Sequence, residues 1–141
     1  MLTVVGKNYV APAPLSSVQD CCLEIERTAA FLMHFIGAWP GGGTLADAQD
    51  DQLLLHGVER QMELICAAVD RLAQVDAGIA ERITDHRKLI AFRTVQLHGF
   101  ANISESLSYP QRIWYFIENR LPLLRKEIAE IGRAADPTNK S

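Results

Sequence analysis

Leu55-His56-Gly57-Val58-Glu59-Arg60-Gln61-Met62-Glu63-Leu64-Ile65-Cys66-Ala67-Ala68-Val69-Asp70-Arg71-Leu72 decides the fold class. Leu55, Val58, Met62, Ile65, Val69 and Leu72 follow one another in steps of 3, 4, 3, 4 and 3. That spacing lines one face of a helix, and polar residues fill the other. It predicts a helix over 47–76 whose apolar stripe is either the packing face of a bundle or a coiled-coil seam.

Working outward, the same pattern recurs on both sides. Val18, Cys22, Ile25, Ala29, Leu32 and Ile36 form a stripe in a first helix. Ser16 and Ser17 offer its N-cap, and Trp39-Pro40-Gly41-Gly42-Gly43 ends it. A third, shorter helix is predicted over 85–97, with His98-Gly99 as its stop. A fourth is predicted over 108–133, with Pro110 in its first turn and a stripe of Ile113, Ile117, Leu121, Leu124, Ile128 and Ile131. Pro122 lies inside that helix and should bend it. No segment reads as a strand. The expectation is an all-α, four-helix up-and-down bundle over 16–133, with an extended N-terminal arm at 1–15 and a flexible tail at 134–141.

Composition narrows the class. With 141 residues and 48% hydrophobic content, the chain can bury one core and is not disordered. The N-terminal stretch lacks the apolar run of a signal peptide, and nothing approaches the ~20 apolar residues of a spanning helix. Cys21, Cys22 and Cys66 match neither a disulfide framework nor a C-x-x-C pair, and read as buried thiols in a reducing cytosol. Gly41-Gly42-Gly43-Thr44 lacks the ending and the preceding strand of a phosphate loop. His34 and His56 have no second histidine at ligand spacing and read as partly buried structural residues. No metal or cofactor is called for.

Charge is uneven along the chain. Residues 45–70 hold six acids against one base, whereas residues 82–98 hold four bases against one acid, plus His86 and His98. A compact basic segment in a chain of net charge -3 is a candidate phosphate-binding surface. Within it, Arg93 and His98 stand five residues apart, which turns an ideal helix by about 140° beyond a full turn. They converge only if the helix ends near His98, as Gly99 encourages.

Arg93-Thr94-Val95-Gln96-Leu97-His98-Gly99-Phe100 resembles the HEPN motif, and more narrowly the R-x4-H-x-Y motif of its HepT-like (DUF86) branch. Arg60-Gln61-Met62-Glu63-Leu64-Ile65-Cys66-Ala67-Ala68 resembles that family's second-helix pattern R-x-L-E-I-I-G-E-A, with Arg60 and Glu63 as supporting positions. Ile113-Trp114-Tyr115-Phe116-Ile117-Glu118-Asn119-Arg120-Leu121-Pro122-Leu123-Leu124 resembles its final-helix pattern V-W-x-x-I-x-x-D-L-P-x-L. The resemblance implies a metal-independent endoribonuclease toxin, a homodimer whose two Arg/His pairs share one cleft, and a minimal nucleotidyltransferase (MNT) as antitoxin. It assigns Arg93 and His98 as catalytic, and in the same basic segment Arg87 and Lys88 would hold the RNA backbone.

Departures accompany the resemblance, among them a longer gap from His98 to Trp114. Thr94 replaces the usual Asn or Asp, Gln96 an apolar residue, and Phe100 the motif Tyr. In such systems the antitoxin transfers AMP to that Tyr, and Phe100 has no hydroxyl to accept it. Tyr109, in a lengthened segment before the last helix, is the displaced acceptor the sequence offers, followed by Ser104. The drift also admits a non-catalytic HEPN protein acting as partner or substrate-binding subunit of a nucleotidyltransferase.

Overall fold

The computed structural model describes residues 4–5, 9–10, 17–95 and 108–136. Of residues 4–5, 9–10, 93–95 and 109 it describes the backbone element alone. The fold is all-α apart from one short strand pair. Strands β1 (Val4–Val5) and β2 (Tyr9–Val10) are antiparallel, with Val4 opposite Val10 and Val5 opposite Tyr9. The sequence predicts no strand in the arm, because two residues per strand are too few to leave a periodic signal.

Helix α1 spans Val18–Ala38. Ser17 caps it, its hydroxyl accepting from the Asp20 amide at 3.0 Å. The chain leaves α1 through Gly41 (φ 81°) and Gly42 (φ 76°), left-handed conformations that glycine adopts without a Cβ clash. The single helix expected over 47–76 is instead two, α2 (Leu45–Asp50) and α3 (Gln52–Val75). Asp51 makes the break. Its backbone is extended, and its carboxylate accepts from the Leu53 amide at 2.9 Å, competing with the helical backbone. Thr44 and Asp47 close a reciprocal capping box on α2.

A short helix α4 (Ala77–Ala80) leads to α5 (His86–Val95). The last helical span is α6 (Tyr109–Tyr115), a π-helical segment (Phe116–Arg120) and α7 (Leu121–Ala135) in unbroken succession. Ser108 and Gln111 form its capping box, with Pro110 in the first turn. The bend expected at Pro122 takes the form of that π-helical turn. Proline has no N–H to donate, and its ring crowds the carbonyl four residues earlier, here Glu118. The widened turn lies over that carbonyl.

The core is built from the predicted stripes. Leu55, Val58, Met62, Ile65, Val69 and Leu72 are all buried, as are Ile113, Ile117, Leu121, Leu124, Ile128 and Ile131. Helix α3 packs against α1, α2, α4 and α5, and α1 packs against α7. Two contacts set α1 antiparallel to α3. The Phe35 ring closes on Gly57, where a Cβ would lie 2.5 Å from it. At the other end, Cys21 lies in the field of Arg71. Likewise Cys22 meets Gly132, and further along α1 Glu26 pairs with Arg125 at 3.0 Å, so α1 and α7 also run antiparallel.

Because the α3 stripe is consumed inside one chain, it is not a coiled-coil seam. The homodimer expectation therefore loses this support. None of the described helices is long and apolar enough to cross a membrane.

Replacing one buried stripe residue tests the register directly. Ile65→Ala is expected to cost about 2–5 kcal/mol in chemical denaturation. Leu53→Ala, at a position 70% exposed, is expected to stay within about 0.5 kcal/mol of the parent.

Candidate functional site

Helix α5 carries the basic segment, and its placement follows from its apolar residues. Leu89 and Phe92 are buried, which rotates Arg87 to the solvent side and leaves Lys88 half-buried. Helical geometry separates the predicted cations. Arg93 stands about 120° from Arg87 and about 140° from Lys88 around the helix axis. The basic residues therefore do not form one stripe: Arg87 lies on the exposed face, with Lys88 and Arg93 towards opposite flanks. His86 is half-buried, with Nδ1 3.2 Å from the Ile83 carbonyl.

Arg93 lies on α5, which is described as far as Val95. Its side chain, His98, Phe100 and Ser104 lie outside the described residues. Tyr109 is the first residue of α6, and its side chain is likewise outside them. Arg60 and Glu63 meet at 3.8 Å one turn apart on α3, with side chains 65% and 53% exposed. That is a solvated surface pair of small energetic worth. His34 and His56 are exposed rather than partly buried, because α1 and α3 each turn an apolar stripe inward and place these positions outside it.

The start of α5 is held by two side-chain locks that the sequence alone did not reveal. Arg120 donates from Nε and Nη2 to the two carboxylate oxygens of Asp85, at 2.9 and 3.0 Å. Asp85 is only 6% exposed, and its carbonyl accepts the Leu89 amide in the first turn of α5. The hydrogen bond to Asp85 is the main reason the Arg120 pKa lies above its ordinary value. Next to it, the Thr84 amide and hydroxyl both donate to Glu127, at 3.1 and 2.6 Å. Arg120 occupies the place of the Asp in the final-helix pattern D-L-P. An Arg there, with an Asp opening the basic helix, was the signal available in the sequence.

The thiols are not nucleophile candidates. All three are buried. Burial, and then the neighbouring Cys21, push the Cys22 thiol up to about 11. A thiol in that state carries almost no thiolate at neutral pH. Two grooves lie along the α1–α7 seam, of about 280 Å³ beside Cys22 and Gly132 and about 110 Å³ beside Met33 and Pro122. Neither is lined by a residue of α5. Among the described residues no three of His, Cys, Asp or Glu gather as a metal site.

Comparison of the chain with protein-family models, with curated proteins and with solved structures returned no match.

Thiol titration gives a check with a defined sign. The folded state keeps Cys22 protonated, whereas the unfolded thiol ionises near 9.0. The resulting stabilisation is complete below pH 9 and is lost as pH rises towards about 11. Melting temperatures measured across that window should fall less steeply for Cys22→Ala than for the parent. Parallel slopes would show that the thiol is not sheltered.

Proposed function

We propose that this chain is a HepT-like, metal-independent endoribonuclease that acts as a homodimer and is controlled by an MNT-type nucleotidyltransferase. The reading rests on the resemblance of three ordered stretches. The observation that supports it most is that the basic segment is helical, with Arg93 on α5 five positions before His98 in the sequence. The other two stretches fall on α3, with Met62, Ile65, Cys66 and Ala68 in the core, and on the α6–α7 span, with Ile113, Trp114, Phe116, Ile117, Leu121 and Leu124 in it.

The chemistry suits these residue types. The substrate 2′-hydroxyl attacks phosphorus and the bond to the 5′-oxygen breaks, giving a 2′,3′-cyclic phosphate and a free 5′-hydroxyl. Imidazole titrates near neutral pH, so His98 delivers a proton to the leaving 5′-oxygen as general acid. His98 of the second copy takes the proton from the 2′-hydroxyl. Arg93 sets a planar fork of donors against the charge growing on the phosphoryl oxygens. Arg87, exposed on the first turn of α5, contacts the RNA backbone with Lys88, adding affinity without sequence selection.

The second reading is a non-catalytic partner of a nucleotidyltransferase. Thr94, Gln96 and Phe100 favour it, since the motif surroundings have changed while Arg93 and His98 persist. Cleavage decides between the two. The nuclease should cut looped or single-stranded RNA in EDTA, because unpaired strands let the 2′-hydroxyl reach an in-line geometry. His98→Ala and Arg93→Ala should each abolish cutting with melting temperatures nearly unchanged. Full activity in either variant removes the assignment.

Control of the site has its own test. The nucleotidyltransferase would move AMP from ATP to a hydroxyl oxygen, releasing pyrophosphate, and Phe100 offers no such oxygen. Tyr109 is the proposed acceptor. Intact mass spectrometry after co-expression should show whole AMP additions that vanish in Tyr109→Phe. An adduct mapped outside 98–109 would contradict the proposal.

A further inference from the structure

We propose that Asp85 and Arg120 are the positioning pair of this site: their two-pronged ion pair fixes the rotation and pitch of α5, and with it the placement of Arg87, Lys88 and Arg93. The proposal rests on the nuclease reading only for its activity measurement.

Helix α5 is described over residues 86–95, and in proteins most helical stability comes from tertiary packing of an amphipathic face. Its orientation therefore comes from its neighbours. Burial of Leu89 and Phe92 sets which face of α5 turns inward, but contact between oily surfaces is non-directional and leaves the finer angle open. Direction comes from the polar contacts at its start. The guanidinium of Arg120 is a rigid plane whose Nε and Nη2 both engage Asp85, so the carboxylate is fixed in angle as well as distance. A second tether, Thr84 to Glu127, reaches the same long helical span two turns further on. Both anchors fall in the turn that opens α5, on the adjacent residues Thr84 and Asp85, and tie it to two points of one long helical span.

The π-helical segment is part of the device. Arg120 is its last residue. A π turn inserts one residue, which rotates the downstream residues by about 100° relative to an uninterrupted helix. Restoring a regular turn would carry Arg120 away from Asp85. Stability alone does not require this arrangement, because well-packed apolar residues commonly replace a buried ion pair without loss.

That last point supplies the test. Asp85→Leu/Arg120→Met removes both charges while keeping volume, and is expected to fold with a near-parental melting temperature. Arg120→Lys keeps the charge and loses the fork. Hydrogen exchange in both variants should quicken across residues 86–95 by about tenfold or more, with α1 and α3 amides unchanged. On RNA, kcat should fall by about a hundredfold with KM nearly constant, the signature of a misplaced group rather than a lost contact. Parental exchange over 86–95 in the double variant overturns the proposal, as does parental kcat. A parent chain that does not cut RNA removes the nuclease reading alone, and exchange then decides whether the pair positions α5.

Discussion

Burial of the α3 stripe is the constraint around which the other helices are arranged. Six apolar side chains on one face of α3 leave the water together, each contributing about 1.5–3 kcal/mol relative to exposure. No single neighbour covers that face. Helix α1 closes one side, with Phe35 seated on the bare backbone of Gly57, while α5 closes another through Leu89 and Phe92. The final helical span then packs on α1 and returns to α5 through Arg120 and Glu127. Helix α5 takes its place from the elements it leans on.

The proposed site inherits that dependence. A basic helix lying on α3 would be free to slide if hydrophobic contact were all that held it. The ion pair from the π turn and the paired hydrogen bonds of Thr84 give it an angle. The cost is a carboxylate taken almost fully out of water, offset by two charge-assisted hydrogen bonds.

Much of the fold was legible in the sequence, for a physical reason. Apolar stripes at steps of three and four report the buried face of a helix directly, so the residues lining α1, α3 and α7 could be named in advance. The cap of α1 was equally plain, with Ser17 found where a short hydroxyl precedes a periodic run. The break at Asp51 escaped because its carboxylate competes locally with the helix, and periodicity cannot see that competition. Other features escaped because they depend on two distant places at once. The role of the α3 stripe as core rather than seam became visible only once α1 and α5 were seen to cover it. Asp85 and Arg120 are 35 residues apart and meet only through the packing of two helices. The expectation that Arg93 and His98 act together rests on local spacing alone, and their side chains lie outside the described residues, while helical geometry separates Arg93 from Arg87 and Lys88.

The proposed nuclease chemistry requires Arg93 and His98 to meet an RNA phosphate. The most direct measurement is a nuclear magnetic resonance titration of the labelled chain with a 2′-O-methylated RNA strand, which binds but cannot supply the attacking hydroxyl. The imidazole signals of His98 and the guanidinium Nε of Arg93 should move together and saturate. His34 and His56, exposed on α1 and α3, serve as internal references and should stay still. Unmoved His98 and Arg93 signals at saturating RNA, or shifts confined to the other histidines, would contradict the claim.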